Sequence, residues 1–495
     1  MTKKIEDCIL PSVSPSATVE FVDGTYLKTR YVMQEDGNYI IRVGRGARRD
    51  VLRCKELYGK AVKTALELEC TACTFDPQPA LELGADGLFA AAEGVCGGAY
   101  RKKFALDDRC APELVCSFPG LGTAPDFDVA EAGAHGAPDF DSSDAAMSAE
   151  AAQAVSPEGA AKVMRRAWAL ALCIMEARNL VNRPANLLRP EELARRLTAM
   201  AEGLPLQAEV YDAAALERLG LNGLLTVGAS SRFPPALVVL RYTGAPERAE
   251  RLGLVGKGVT VDTGGYCLKS AASMAGIKGD MAGGAAVAAA VRALALHGAA
   301  VNVTAVVPVC ENRISDGSMT PGDVITSLSG QTIEILNADA EGRLILADGL
   351  TWAAEHEACT HLVDVATLTG AICAMLGYVT TGVTASDDAS YAALLRAAMH
   401  SGEKFWRMPD DEEYEKLIES DYADVRNTSK DGCGAITAGL FLRKFSAGRP
   451  WLHLDIAGTA DNSSFVWQHQ VPGATGTAVS TLYHLAKGIF EEERA

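Results

Sequence analysis

From residue 186 onward, short apolar runs alternate with longer stretches in which apolar residues recur at helical spacing. The short runs predict strands at residues 236–242, 252–255, 301–309, 361–365 and 451–456. The longer stretches predict helices, and residues 283–297 are a clear example. This alternation is typical of an α/β domain whose mostly parallel sheet is covered by helices on both faces.

The first part of the chain has a different character and is separated from the rest by one long helical pattern. Apolar side chains recur at helical spacing over residues 162–183, and Pro184 ends the pattern. Residues before about 118 alternate apolar runs with short polar breaks, which indicates a small α/β unit. We therefore predict an N-terminal α/β domain at residues 1–160, a linker helix at 161–184 and a larger C-terminal domain at 185–495.

Charge is distributed unevenly along the chain. The chain has 46 basic and 63 acidic residues, for a net charge of −17. Residues 110–161 contain no Lys or Arg, and we interpret residues 120–158 as a solvated acidic loop, with a partner-binding arm as the alternative. The acidic excess argues against a nucleic-acid partner or an anionic-membrane partner, because both require an excess of Lys and Arg.

The pattern also bears on the compartment. The uncharged residues 365–386 contain several Thr and Gly, which favours a buried strand and loop over a membrane span. The N-terminus lacks the apolar core of a secretory signal. Thirteen cysteines without framework spacing indicate free thiols in a reducing environment. A cytoplasmic location is therefore expected.

Candidate chemistry is concentrated in two segments, residues 255–280 and 337–344. Their charged side chains include Lys257, Asp262, Lys269, Asp280, Asp339, Glu341 and Arg343. In parallel α/β sheets the active site lies beyond the carboxyl ends of the strands, where the first segment begins. The pair Gly256-Lys257 is not a phosphate-binding loop, since position 251 is Arg and position 258 is Gly.

The second segment strengthens the case for a metal site. Asp339, Glu341 and Arg343 are spaced by two, so an extended backbone would place all three on one side. Charges in such a pattern are costly to bury unless a partner neutralises them. The segments together offer four carboxylates, which suit a pair of Mg²⁺, Mn²⁺ or Zn²⁺ ions. These are Asp262, Asp280, Asp339 and Glu341. Taken alone, Asp262 and Asp280 could equally be surface carboxylates or helix caps.

Here the sequence resembles a known family. Residues 337–344 read Asn-Ala-Asp-Ala-Glu-Gly-Arg-Leu, which resembles the signature of the leucyl aminopeptidase family, also called the cytosol aminopeptidases or peptidase family M17. Residues 256–265 resemble the family's first metal segment, and residues 364–371 resemble its substrate-binding loop. Later segments match in order at residues 434–442, 453–458 and 473–476. The resemblance extends from about residue 180 to the C-terminus.

The resemblance implies two divalent metal ions per subunit, Mn²⁺ or Zn²⁺, with Mg²⁺ as an alternative. Lys257, Asp262, Asp280, Asp339 and Glu341 fall on the family's ligand positions. Asp262 and Glu341 would bridge the ions, with Lys257 and Asp280 completing the tighter site and Asp339 the more exchangeable one. A lysine can ligate only as the neutral amine, and two adjacent cations would depress its pKa.

Lys269 and Arg343 fall on the family's catalytic positions. Two adjacent metals can acidify a bridging water and bind the free α-amine of a peptide, which restricts cleavage to N-termini. Protonated Lys269 would stabilise the oxyanion of the tetrahedral intermediate. Arg343 has too high a pKa to act as a base, and the resemblance implies that it holds a bicarbonate ion that does so.

The resemblance also assigns substrate-binding positions. Thr367, Leu368 and Gly370 match loop residues that contact the substrate backbone and line its pocket. Two positions depart from the family pattern, because Ile277 and Ala460 stand where pocket methionines are common. We expect the pocket to remain apolar but to differ in shape and to be roomier.

The expected function is a metal-dependent aminopeptidase that releases leucine and other apolar N-terminal residues from peptides. The resemblance further implies a homohexamer built as a dimer of trimers, an N-terminal domain similar to macro domains and a catalytic α/β/α sandwich. One alternative is a DNA-binding scaffold, a second role of some bacterial relatives, which the acidic charge opposes. Another is an inactive scaffold, which would normally lack a ligand, Lys269 or Arg343.

Overall fold

The computed structural model describes residues 15–107, 114–123, 156–429, 431–464 and 466–490. The acidic loop predicted at residues 120–158 lies almost entirely outside this part of the chain. The described residues form a mixed α/β structure with mostly parallel sheets, which confirms the predicted fold class. The domain boundaries at residues 160 and 184 stay a prediction.

A six-stranded sheet is formed by described residues of the N-terminal part. Its strands are β1 (Ser16–Val22), β2 (Thr29–Met33), β3 (Tyr39–Gly44), β4 (Ala72–Phe75), β5 (Val115–Phe118) and β6 (Gly122–Thr123). The order is β2-β3-β1-β4-β5-β6. Strands β3, β1, β4 and β5 are parallel, whereas the edge strands β2 and β6 are antiparallel to their neighbours.

Helices in the same part cover this sheet. They are α1 (Val51–Glu67), α2 (Gln78–Leu81), α3 (Gly84–Ala99) and α4 (Phe104–Asp107). Helix α5 (Pro157–Asn182) then leads to the second sheet and confirms the long helix predicted over residues 162–183. Its N-terminus is capped by Ser156, whose Oγ accepts a hydrogen bond from the Gly159 amide at 3.1 Å.

The larger part of the chain contains a nine-stranded and a three-stranded sheet within the described residues. The strands are β7 (Leu206–Tyr211), β8 (Ala236–Thr243), β9 (Leu252–Gly256), β10 (Gly258–Asp262), β11 (Asn302–Asn312), β12 (Val324–Thr326), β13 (Thr332–Glu334), β14 (His361–Ala366), β15 (Thr381–Ala385), β16 (Phe405–Arg407), β17 (Val425–Arg426) and β18 (Trp451–Asp455). The large sheet has the order β16-β15-β18-β14-β9-β11-β8-β7, with β10 paired to β11. Strands β12, β13 and β17 form the small sheet.

Helices pack on both faces of the large sheet, as the alternating pattern predicts. They are α6 (Pro190–Ala199), α7 (Ala213–Leu219), α8 (Asn222–Gly228), α9 (Ala271–Met274), α10 (Ala282–Leu296), α11 (Gly342–Glu355), α12 (Gly370–Leu376), α13 (Asp388–Ser401), α14 (Glu412–Glu415), α15 (Gly434–Arg443) and α16 (Val479–Gly488). Single 3₁₀ turns lie at Ile277–Gly279 and Lys416–Ile418. All five predicted strands are present, each within a few residues of its predicted bounds.

One described segment, Ile277–Leu296, is long and apolar enough to cross a membrane by length and composition, but 89% of its apolar window is buried inside the protein. It contains α10, which is a core helix packed on strand β9. The helix approaches the sheet closely through glycine, because a methyl group on Gly283 would lie 1.9 Å from the carbonyl oxygen of Val365.

The parallel strands at the centre of the large sheet bring five polar residues to one edge. Lys257 directly follows β9, Asp262 ends β10, Asn312 ends β11, Thr367 follows β14 and Asp455 ends β18. These strands run in the same direction, so their carboxyl ends meet. The predicted site segments therefore converge at the edge where α/β sheets bind ligands.

Candidate metal centre and active site

A cavity of about 290 Å³ opens at this edge of the sheet. The predicted site residues that line it are Lys257, Asp262, Lys269, Asp280, Asp339, Arg343, Thr367, Leu368 and Gly370. Glu341 lies directly beneath, with only 1% of its surface exposed, and contacts Lys257. The fold thus brings together all seven residues expected to bind metal or to act in catalysis.

The local backbone differs from one sequence expectation. Asp339 lies in a turn, and Glu341 has helical dihedral angles (φ −74°, ψ −36°) as the residue before α11. Arg343 belongs to the first turn of that helix. The predicted extended backbone over residues 339–343 is therefore wrong. The turn and the helix start still orient the three side chains toward the cavity or its floor.

Lys257 is the central charge of the buried half of the site. Its Nζ lies 2.7 Å from Oδ2 of Asp280 and 2.8 Å from Oε1 of Glu341, and the lysine is 3% exposed. One carboxylate oxygen each from Asp262, Asp280 and Glu341 can be chosen so that all three lie within 4.8 Å of one another. That separation is short enough for a single cation to contact all three.

Lys269 organises the more open half. Its Nζ lies 2.7 Å from Oδ2 of Asp262 and also forms a close ion pair with Asp339. Asp262 is held from the other side, because its Oδ1 accepts hydrogen bonds from the Gly264 amide and from Nδ2 of Asn312, both at 2.9 Å. The carboxylate is therefore fixed in orientation by three donors.

Burial dominates the electrostatics of the carboxylates. Loss of solvent raises the pKa of Glu341 to about 8 and that of Asp280 to about 6, and it also raises the pKa of Asp339. The pKa of Lys257 responds to two opposing effects. Burial disfavours its charged form, but the neighbouring carboxylates of Asp280 and Glu341 outweigh burial and raise the pKa. The carboxylates of the cluster are like charges held close together, and a bound cation would reduce their mutual repulsion.

The residues present fit divalent cations. Oε2 of Glu341 is buried and has no hydrogen-bond donor among the described residues. Oε1 of Glu341 and Oδ2 of Asp280 are also buried and contact the ammonium group of Lys257. Buried carboxylate oxygens without donors are costly, and a cation removes that cost. Carboxylates also outnumber ammonium groups in the cluster by four to two. Oxygen-rich donor sets of this kind suit Mn²⁺, Zn²⁺ or Mg²⁺.

Arg343 is buried beside the cluster but has a different set of partners. Its Nη1 donates a hydrogen bond to the carbonyl oxygen of Asn427 at 2.6 Å, whereas its Nε has no acceptor among the described residues. Burial lowers its pKa to about 10, so the guanidinium stays charged at neutral pH. A buried arginine with a free donor at a cavity wall can bind a small anion.

Two asparagines that sequence reasoning missed hold the site together. Nδ2 of Asn312 bridges Oδ1 of Asp262 and the carbonyl oxygen of Ala338, at 2.9 and 3.0 Å. Oδ1 of Asn427 accepts a hydrogen bond from the Leu336 amide at 2.9 Å. Its Nδ2 donates to the carbonyl oxygen of Asn337 at 2.7 Å. The position of Asn312 at the carboxyl end of a predicted strand was a usable signal, whereas Asn427 had none.

The predicted substrate loop after β14 is fixed by Asp455. Oδ1 of this buried carboxylate accepts a hydrogen bond from the Leu368 amide at 3.2 Å, and Oδ2 accepts one from Oγ1 of Thr369 at 2.7 Å. Thr367 is tied to the metal segment, because its Oγ1 donates to Oδ1 of Asp280 at 2.7 Å. The loop and the carboxylate cluster therefore form one connected structure.

Two predicted pocket residues lie elsewhere. Ile277 begins the half-exposed 3₁₀ turn before Asp280, and Ala460 is buried beyond strand β18. Neither residue is among those that line the 290 Å³ cavity. Their contribution to substrate preference stays a prediction.

Comparison with known proteins agrees with this geometry. The sequence model of the cytosol aminopeptidase family, catalytic domain, matches residues 175–483. A probable cytosol aminopeptidase of Solibacter usitatus is 47% identical over 314 residues, which are 63% of this chain and 64% of that protein. One of Alkaliphilus oremlandii is 45% identical over 313 residues, or 63% and 62% of the two chains. The matched part thus spans just under two thirds of these relatives.

A solved structure extends the likeness to nearly the whole chain. The bottromycin maturation enzyme BotP superimposes with a TM-score of 0.79 at 30% identity, covering 97% of this chain and 100% of that one. The same enzyme has also been solved in complex with Mn, with the same TM-score and identity. The match over residues 175–483 contains every residue of the carboxylate and lysine cluster. This chain belongs to the cytosol aminopeptidase family.

Proposed function

We propose that this protein is a metal-dependent aminopeptidase that releases N-terminal amino acids from peptides. The observation that carries the proposal is the convergence of the four carboxylates Asp262, Asp280, Asp339 and Glu341 on Lys257 and Lys269 at one cavity, where Oε2 of Glu341 is buried without a donor among the described residues. Family membership supports the same reaction class. Leucine and other apolar residues are the proposed N-terminal preference.

The five side chains would hold two divalent cations, with Asp262 and Glu341 shared between them. Lys257 would bind as the neutral amine, since an ammonium group has no lone pair to donate. Bound there, such cations supply Lewis acidity, an acidified water and a site for the free α-amine of the substrate. The name of the Mn complex of BotP supports Mn²⁺ as one candidate metal.

The remaining polar side chains have distinct tasks in this proposal. Burial lowers the pKa of Lys269, but without bound cations the carboxylates of Asp262 and Asp339 raise it by more, so the amine of the metal-free site is protonated. It can therefore donate hydrogen bonds to an oxyanion at the cavity wall. Arg343 would hold a bicarbonate ion, which supplies the proton acceptor that the guanidinium cannot be. Leu368 and Gly370 would line the path of the peptide.

Our proposals on assembly and location rest on likeness to known proteins. We propose a homohexamer, built as a dimer of trimers, in the cytoplasm. The support is the resemblance of the sequence and the word cytosol in the names of the curated relatives. Peptides with a free N-terminus are the proposed substrates, and neither a membrane nor a nucleic acid is a proposed partner.

The test is hydrolysis of a panel of aminoacyl-p-nitroanilides by the purified full-length protein. The protein is assayed after metal removal, then after addition of Mn²⁺, Zn²⁺ or Mg²⁺. Asp339→Ala is measured beside Asp323→Ala, which removes an exposed carboxylate that caps a turn through Thr320. We expect metal-restored cleavage that only Asp339→Ala abolishes. Folded protein that cleaves no substrate with any metal would contradict the proposal.

A further inference from the structure

A second cavity, of about 60 Å³, lies where the N-terminal helices meet the C-terminal segment. Helices α1 and α3 form one side, helix α5 forms the floor, and residues 467–481 close the other side. It shares no lining residue with the cavity at the carboxylate cluster. The fold therefore contains a separate, partly open cavity with polar and apolar lining at the junction of its two main sheets.

The floor of this junction pocket carries a buried positive charge without a counter-ion. Arg178 has no exposed surface, and none of its nitrogens lies within 4 Å of a carboxylate among the described residues. Its Nε donates a hydrogen bond to the carbonyl oxygen of Ala474 at 2.7 Å, and its guanidinium lies 4.0 Å from the centre of the Tyr100 ring. Nη2 has no acceptor among the described residues. A buried charge in this state is costly unless an unseen partner neutralises it.

The carboxylates that line the pocket are already committed to other donors. Glu93 forms a close ion pair with Lys55 and accepts a hydrogen bond from Oγ of Ser480 at 2.9 Å. Glu403 accepts hydrogen bonds from Oγ1 of Thr477 at 2.9 Å and from the Ala478 amide at 2.8 Å. Neither carboxylate forms an ion pair with Arg178 within 4 Å, although both contribute negative charge to the pocket lining.

A second donor faces the same space. His469 is 7% exposed and lines the pocket, and its Nδ1 has no partner among the described residues. Burial disfavours protonation of the ring, and the neighbouring cations Lys55, Arg178 and Lys63 disfavour it further. Together they hold the pKa of His469 well below its usual range. A neutral imidazole with a free ring nitrogen can still donate one hydrogen bond.

An exposed cation also lines the pocket. Lys404 is an exposed lining residue, and its Nζ lies 6.0 Å from the centre of the half-buried Trp467 ring. A volume of about 60 Å³ accommodates roughly four to six water-sized spheres, which matches a halide with water or one tetrahedral oxyanion.

We propose that the junction pocket binds a small inorganic anion, such as chloride or phosphate, that neutralises Arg178. The anion would accept a hydrogen bond from Nη2 of Arg178 and one from His469, with Lys404 attracting it to the entrance. This site is independent of the proposed peptidase reaction.

Such an anion would fasten the two parts of the chain together. His469 approaches the N-terminal helices at glycines, because a methyl group on Gly59 would lie 2.6 Å from its Cα and one on Gly97 would lie 2.9 Å from its carbonyl oxygen. Arg178 on helix α5 and His469 on the C-terminal segment would then share one ligand. Anion binding should stabilise the folded protein by mass action.

The test is thermal unfolding of the full-length protein at constant ionic strength. Sodium gluconate is replaced stepwise by sodium chloride, sodium bromide or sodium phosphate. We expect a saturable rise in Tm of about 2–3 °C at a hundredfold excess over the Kd. Arg178→Gln should lose this rise. Lys404→Gln should weaken the apparent affinity about two- to fivefold. Lys416→Gln, an exposed lysine outside the pocket, should behave as wild type.

Crystals soaked in bromide provide a readout that does not depend on a variant folding. An anomalous peak beside the Arg178 guanidinium supports the site. The proposal is overturned if the pocket shows no peak, if no anion raises Tm in a saturable way, or if folded Arg178→Gln retains the full rise.

Discussion

Gly342 lies against Lys257 so closely that a methyl group on its Cα would be 2.6 Å from Cε and 2.7 Å from Nζ of the lysine. The helix that carries Arg343 therefore begins with the one residue type that leaves room for the buried lysine. The backbone at Gly342 and the position of Nζ are determined together. A change at either residue should alter the contacts of Nζ with the carboxylates of Asp280 and Glu341.

Gly342→Ala should impair the site while leaving the fold largely intact. The added methyl group must push Lys257 away from Asp280 and Glu341, and we expect at least a tenfold loss of kcat/KM and a lower bound-metal content. Gly488→Ala is the matched control, because nothing lies within 4 Å of its added methyl group. Metal analysis and peptidase assays measure both effects. Normal metal content in Gly342→Ala would contradict this account of the lysine.

Asn312→Ala should weaken metal binding without removing a ligand. The variant leaves Oδ1 of Asp262 without one of its donors and releases the carbonyl oxygen of Ala338. Loss of a partner that orients a ligand typically lowers metal affinity by about 10- to 100-fold. Titration of activity against free Mn²⁺ should show this shift. Asn222→Ala, which removes an exposed hydrogen bond to Thr326, should not shift the curve.

Thr369→Val should raise KM more than it lowers kcat. Oγ1 of Thr369 donates to Asp455 and accepts from the Ile372 amide at 3.1 Å, so it fixes the loop and caps helix α12. Losing both bonds should reduce kcat/KM by up to roughly 30-fold, since each is worth about 1 kcal/mol and about 1.4 kcal/mol corresponds to a factor of ten. Thr369→Ser keeps the hydroxyl group and should restore KM. A serine variant as impaired as the valine variant would argue against the hydroxyl as the cause.

Glu192 gives a pH-dependent contribution to stability. Hydrogen bonds from Arg195, followed by those from Arg196, lower its pKa to about 2 from an unfolded value near 4.5. A depressed folded pKa stabilises the protein above pH 4.5, and this stabilisation is lost as the pH falls from 4.5 toward 2. Glu192→Gln should cost about 1 kcal/mol at pH 7, from two ion pairs and the helix dipole.

The measurement for Glu192 is urea unfolding of wild type and variant between pH 7 and pH 3. The difference in the free energy of unfolding should stay constant down to about pH 4.5 and then shrink between pH 4.5 and pH 3, which covers part of the loss. Glu191→Gln is the matched control on the same helix turn, because Glu191 is exposed and retains only the dipole term. A difference that stays constant with pH would rule out the ionised carboxylate as its source.

The central sheet and the charged segments were predictable from the sequence because they depend on local patterns. Lys257 follows the apolar run predicted as a strand at residues 252–255, so its place at the carboxyl end of the sheet follows from topology. Strand β10, which ends at Asp262, was not predicted. The backbone of Asp339 and Arg343 was predicted wrongly, because a two-residue spacing suits a strand and also suits a turn that leads into a helix. Spacing alone does not distinguish these conformations.

The partners that orient the site were not predictable, because their contacts span long distances along the chain. Asn427 bonds to the backbone of Asn337 at a separation of 90 residues, and Asp455 bonds to Thr369 at a separation of 86. Asp455 lies inside the family-like segment 453–458, but nothing in that segment indicates its partner Thr369, and Asn427 lies outside every segment that resembles the family. The short strands β12, β13 and β17 were missed for a related reason, since two or three residues carry no periodicity.

Strand β18 inserts between β14 and β15, although it follows both of them in the chain. The buried contact between His453 and Asp364 joins residues 89 positions apart. At a synthesis rate of about 5–20 residues per second, strand β18 is made roughly 5–20 s after its neighbour β14. During that interval the edge of β14 that later pairs with β18 is unpaired in the nascent chain. Correct folding therefore depends on protecting this apolar edge from pairing with other nascent chains.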